Sequence, residues 1–173
     1  MRKLVDVELS SRNGLYTELS FPTTPYSILD ALEKLRLEAN EEPEWFILRS
    51  LDSQDVIWRF DQCGSLTELN TLCEQLVQLD ERQLAIVQGL VDMEEPIYIP
   101  MSRFIDIVYS TDRCHFLEGI TDDAQLGRFC AENGFVSEAD DLSDEAFELL
   151  DFAKIGQEFL QDVGGVFTPC QRR

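Results

Sequence analysis

Apolar residues recur at every second position near the start of the chain and at every third or fourth position in its middle. This change of period constrains the fold more than any other feature, because a segment patterned for a strand cannot bury one clean face as a helix, or the reverse. Leu4-Val5-Asp6-Val7-Glu8-Leu9 alternates apolar and acidic residues, as a half-exposed strand does. Ser11-Arg12-Asn13-Gly14 carries turn chemistry, with positive φ open to Asn-Gly, and Tyr16 to Phe21 returns as a second strand. Thr24-Pro25 marks a helix start, with Thr as cap and Pro in the first turn. The helix predicted over Tyr26–Leu37 places Ile28, Leu29, Leu32 and Leu35 on one face. Trp45–Leu48 and Val56–Phe60 are expected to be further strands.

The pattern then becomes helical. Ser65-Leu66-Thr67-Glu68 matches a capping box, followed by Leu69, Leu72, Cys73 and Leu76 on the inward side. Asp80 is placed to cap a second helix, Glu81–Val91, with Leu84, Val87 and Leu90 or Val91 facing in. Pro96 helps to stop it. Ile97–Met101 and Phe104–Tyr109 form an apolar, strand-like run. Thr121-Asp122-Asp123 opens a helix ending at Asn133-Gly134. Ser143-Asp144-Glu145 opens another, with Ala146, Leu149, Leu150 and Ala153 on its apolar side. Gly165–Thr168 is expected to be a last strand. The resulting expectation is an α+β chain of three small units in tandem: an α+β unit over 1–61, a helical unit over 62–96 and an acidic α+β unit over 97–173.

Charge narrows the function. The chain has 34 acids against 14 bases, a formal charge of −20, unevenly placed. Residues 1–60 hold 11 acids and 7 bases, 61–100 hold 8 acids and one base, and 101–173 hold 15 acids and 6 bases. Such a field repels nucleic acid and anionic membranes and attracts basic surfaces. Solubility is the bland explanation for it. No apolar run approaches the roughly 18–20 residues of a membrane span, and Met1–Asp6 lacks the apolar stretch of a signal peptide. A cytoplasmic location is expected.

Signatures of catalysis are sparse. The five cysteines, Cys63, Cys73, Cys114, Cys130 and Cys170, include no C-x-x-C pair, and His115 is the single histidine. Neither a zinc site nor a disulfide framework follows, so reduced packing thiols are expected. Gly164-Gly165 lacks the Lys-Ser/Thr of a phosphate-binding loop. Cys114 and His115 are adjacent, a spacing that rarely gives nucleophile and base geometry. Paired acids such as Asp122-Asp123 and Asp140-Asp141 arise by chance in so acidic a chain. No enzyme activity, metal or cofactor is expected.

The acidic surface remains. In a helix from Ser143, Asp144, Glu148 and Asp151 would share a face, with Glu145 beside them and Asp141 one spacing earlier. One carboxylate per turn of about 5.4 Å is roughly threefold sparser than the one charge per about 1.7 Å of duplex DNA. A duplex-like surface must therefore combine several elements. A dimer, at −40, would carry the charge of about 68 Å of duplex.

Three segments resemble the ArdA family of antirestriction proteins, in order along the chain. Gly14-Leu15-Tyr16-Thr17-Glu18-Leu19-Ser20-Phe21-Pro22 is similar to the family's Gly-containing strand that ends in Pro. Ser65-Leu66-Thr67-Glu68-Leu69-Asn70-Thr71-Leu72, with Leu76 and Leu79, resembles its E-L-N-x-L helix. Leu150–Glu158 followed by Gly165-Val166-Phe167-Thr168 is similar to its Y-I-D-Y-x-x-Y-G-R-D and G-x-F-T patterns. The family's Trp in the first segment is absent, Leu150 replaces Tyr, Ile155 replaces an aromatic, and Gln157-Glu158 replaces Arg-Asp. The resemblance implies three small domains in an elongated, curved chain that pairs as a homodimer. It implies acids arranged like the phosphates of bent DNA, and a non-catalytic inhibitor of type I restriction–modification enzymes that uses no cofactor. The acids expected to face the enzyme are Asp80, Glu81, Asp92, Glu94, Glu95, Asp122, Asp123, Glu132, Asp140, Asp141, Asp144, Glu145 and Glu148. A CRISPR effector or another DNA-binding defence protein is the alternative target. An acidic adaptor that binds through an apolar groove is the alternative class. No direct contact with nucleic acid or membrane is expected.

Overall fold

A computed structural model describes residues 2–38, 41–50, 64–94, 98–139 and 142–168. The chain is α+β and divides into two compact units, Met1–Cys114 and His115–Arg173. The expected boundaries at 61/62 and 96/97 and the expected strand Val56–Phe60 lie outside the described residues, as do Cys63 and Cys170.

The first unit begins with an antiparallel sheet in the order β2-β1-β3, made of β1 (Val5–Ser10), β2 (Tyr16–Phe21) and β3 (Glu44–Ser50). The β1–β2 turn forms as its residues dictate. Gly14 takes φ +82°, its N–H donates to the Ser11 carbonyl at 2.9 Å, and the Asn13 side chain accepts from the Leu15 N–H at 3.2 Å. Val5, Val7 and Leu9 are fully buried on one sheet face. Helix α1 (Pro25–Leu35) starts on the Thr24 cap, whose hydroxyl accepts from the Ser27 N–H, and buries Ala31 and Leu35. Leu29, expected inward, is 56% exposed, because the buried face runs through Ala31 and Leu35 instead.

Helix α2 (Leu66–Leu76) forms the expected capping box, Ser65 with Glu68, and buries Leu66, Leu69, Leu72, Cys73 and Leu76. Helix α3 (Glu81–Met93) carries a second capping box, Asp80 with Gln83, and buries Val87 and Val91, leaving Leu84 and Leu90 half-buried. Of the strand-like run expected over Ile97–Met101 and Phe104–Tyr109, Ile97 lies outside the described residues, Tyr98 to Pro100 form no strand, and the rest is instead a helix, α4 (Met101–Val108). Met101, Phe104, Ile107 and Val108 fall on one helical side and all are buried, so the three-to-four spacing prevails over the run's β-branched content. One core joins sheet and helices, with Phe21 and Phe104 both fully buried. Burial of each is worth about 1.5–3 kcal/mol. Asn70 ties α2 to the strand–helix connection: its side-chain oxygen accepts from the buried Thr23 N–H at 2.6 Å and its amide donates to Glu74 at 2.8 Å.

The second unit is helical among the described residues: α5 (Asp123–Glu132), α6 (Asp144–Phe147) and α7 (Phe152–Val163), with a 3-10 turn at Ser137–Ala139. The expected strand Gly165–Thr168 takes neither helical nor strand geometry. No described strand in this unit offers a partner for its ladder. Helices α5 and α7 cross at Gly127 and Gly156. A Cβ on Gly127 would lie 1.8 Å from the Phe152 carbonyl oxygen, and one on Gly156 would lie 1.9 Å from that of Asp123. Only two glycines allow backbones to approach so closely. No helix among the described residues is long and apolar enough to cross a membrane.

Candidate acidic interaction surface

Helix capping fixes where many of the acids sit. An Asp that caps a helix is held at its N-terminus, where the dipole favours negative charge, and the following turn accepts more acids for the same reason. In the first unit Asp80 caps α3 by accepting from the Gln83 N–H at 2.8 Å, with Glu81 exposed beside it. Asp92 and Glu94 lie at the other end of α3, roughly 20 Å away along a helix of this length. Glu94 is half-buried and held by Arg103, with contacts of 2.7 and 2.9 Å.

The second unit repeats the device. Asp122 caps α5 through the Gln125 N–H at 2.9 Å, and Asp123 follows, half-buried, at the helix crossing. Asp144 and Glu145 occupy the first turn of α6, both exposed, and Asp151 caps α7 by accepting from the Lys154 N–H at 3.1 Å. Glu132 lies at the C-terminal end of α5. Glu95, Asp140 and Asp141 lie outside the described residues.

The continuous stripe Asp144–Glu148–Asp151 does not form. Helix α6 ends at Phe147, Glu148 is its C-cap, and Asp151 starts a separate helix. The apolar side expected for one long helix holds only in part: Ala146 and Leu150 are half-buried, but Leu149 is 86% exposed and Ala153 is exposed. The inward face of α7 instead carries Gly156, with Phe152, Ile155 and Phe159 half-buried around it. The break follows from competition between two local signals, because the Asp151 cap starts a new helix where the Ser143 cap would continue the old one.

Arg128 organises the second unit, and a search for acids passes over it. Its guanidinium donates to both oxygens of Glu148, at 3.1 and 2.6 Å, and reaches Glu132 at 3.4 Å. It also lies 4.7 Å from the Phe152 ring centroid, a cation–π distance. The hydrogen bond from Arg128 holds the Glu148 carboxyl below the ordinary Glu range. A lone base flanked by acids at helical spacing was the available signal, since Arg128 and Glu132 are four residues apart.

This clamp has an electrostatic consequence. Residues 115–173 contain 13 acids and four bases, two of them Arg172 and Arg173. The other two are engaged internally, Arg128 with Glu132 and Glu148, and Lys154 with Glu158 at 3.7 Å. Among the described residues Asp122, Asp123, Asp144 and Glu145 therefore pair with no base. The arrangement attracts an external cationic surface.

Of the three described thiols, Cys73 and Cys130 are buried and Cys114 is half-buried. Cys73 is buried, which pushes its thiol up to about 12, and burial also raises Cys130. Cys114 donates weakly to the Ser110 carbonyl at 3.8 Å, and His115 is exposed. Among the described residues no three His, Cys, Asp or Glu side chains are grouped to hold a metal ion. No protein-family model, no curated protein and no solved structure matches the chain.

Proposed function

We propose that this protein is a non-catalytic, DNA-mimicking inhibitor that occupies the DNA-binding site of a type I restriction–modification enzyme. One observation carries the reading. Both bases among the described residues of the second unit are spent on internal pairs, so the exposed carboxylates of Asp122, which caps α5, and of Asp144 and Glu145 in the first turn of α6 are left for an outside cation. Each such carboxylate would stand in for a phosphate against Lys or Arg of the enzyme. The resemblance to the ArdA family in three ordered segments supplies the target. The finer architecture that goes with it, three small units in tandem and a homodimer in the cytoplasm, belongs to the same proposal.

Competition tests it: the purified protein is titrated against a type I methyltransferase core bound to labelled duplex DNA. The expected result is displacement that weakens steeply as salt rises. Single replacements should do little, because exposed ion pairs are individually weak. Replacing Asp80, Asp122, Asp123 and Asp144 by Asn and Glu81 and Glu145 by Gln should abolish displacement while leaving the fold intact, since Asn caps helices as well as Asp. Failure to displace DNA from several such cores would sink the assignment to this target. Displacement from a CRISPR effector or another DNA-binding defence protein would keep the mimicry and move the target.

A further inference from the structure

The sheet of the first unit has a second face, turned away from α1 and α2. On its middle rung Glu18, Glu8 and Phe46 stand side by side, since Glu8 is directly opposite Glu18 on β2 and Phe46 on β3. Residues directly opposite in antiparallel strands point to the same face, with Cβ atoms about 4.5–5.5 Å apart. The next rung reads Tyr16, Ser10 and Glu44. A bulge between Asp6 and Val7 leaves Leu48 without a directly opposite residue on β1, and Leu48 is exposed. Tyr16 is 71% exposed and Phe46 43%.

Two rungs of this face treat their acids in opposite ways. Asp6 is buried and matched, accepting from Ser20 at 2.6 Å and from Arg49 at 2.5 Å. Glu8 and Glu18, one rung along, pair with no base among the described residues, and like charges directly opposite each other destabilise a sheet. Glu8 is half-buried and Glu18 is exposed, so both carboxylates face outward from the sheet without a matching cation among the described residues. A guanidinium could bridge the two carboxylates and stack on the Phe46 or Tyr16 ring, gaining charge-assisted hydrogen bonds and a cation–π contact at once.

We propose that this face is a docking surface for an arginine-bearing, partly apolar segment of another protein. It uses none of the acids assigned to the decoy surface, so it stands or falls separately from that reading. The experiment is a titration of the full-length, ¹⁵N-labelled chain with a ten-residue peptide alternating arginine and valine. The control is the same peptide with citrulline, a neutral isostere, in place of arginine. The expected result is saturable amide shifts centred on Glu8, Glu18 and Phe46 with the arginine peptide and none with the citrulline peptide. Glu8→Gln/Glu18→Gln should weaken binding at least tenfold while thermal stability is unchanged or rises. Equal binding of both peptides, undiminished binding by the double variant, or shifts confined to the second unit would each overturn the proposal. Self-association of the free chain through this face would overturn it too.

Discussion

Replacing Gly156 by Ala sets two effects of opposite sign against each other. Ala in a helix interior is favoured over Gly by about 0.8–1.0 kcal/mol, so propensity alone predicts a more stable α7. Geometry predicts the reverse. The added carbon would lie 1.9 Å from the Asp123 carbonyl oxygen and 2.9 Å from the Gly127 nitrogen. Ordinary contact begins near 3.4 Å, leaving a shortfall of about 1.5 Å against backbone that no rotamer change can relieve. The helices must part, and overpacking of this kind costs about 1–3 kcal/mol, occasionally more. Separation also exposes the half-buried apolar residues of the crossing, so the upper end of that range is expected, which leaves a net loss of about 2 kcal/mol after the propensity gain is subtracted. A unit of this size has a total stability of only about 3–9 kcal/mol. The loss should appear in urea unfolding followed by far-UV circular dichroism, and in faster amide exchange along α5 and α7. Exchange in α2 to α4 of the first unit should be unchanged. Gly127→Ala should behave alike, and the double variant should cost less than the sum, because both carbons intrude at one crossing. A Gly156→Ala protein as stable as wild type would refute the close approach.

Two further predictions test single residues of the first unit. Asn70→Ala leaves the buried Thr23 N–H without its partner and should cost about 1–3 kcal/mol in the same unfolding assay. Asn70→Asp, which keeps the acceptor but sets a carboxylate beside Glu74, should lie between wild type and Asn70→Ala. Asp6 is held below the ordinary Asp range first by the Ser20 hydrogen bond and then by Arg49. A carboxyl depressed in the folded state contributes stability above its ordinary value of 3.8 and loses it as pH falls through its folded value. The stability gap between wild type and Ser20→Ala should therefore be constant from pH 7 to 5 and shrink below 3.8. A gap that persists at pH 2 would assign the role of Ser20 to packing.

Local chemistry was legible in the chain. The caps at Thr24, Ser65, Asp80, Asp122 and Ser143 form as their residues require, because capping involves atoms within three or four positions of each other. The same range explains the turn at Gly14 and the inward face of α2. The acidic excess is also a property of sequence alone. Tertiary packing decided the rest. Met101–Val108 is a helix because Phe104 and Ile107 find a core on one side, a partner that no window of eight residues contains. Asn70 and Gly156 gain a physical meaning only in three dimensions. Asn70 satisfies a backbone group 47 positions earlier, and Gly156 admits the backbone of α5. The acidic stripe failed as a single helix because the Asp151 cap starts a second helix after α6 has ended at Phe147. Sequence thus determined how much negative charge the protein carries and which acids would cap helices. The i,i+4 pairs Arg128–Glu132 and Lys154–Glu158 follow from helical spacing, but the fold decided that Glu148 and Glu94 are matched internally, because they meet Arg128 and Arg103 only through non-local contacts.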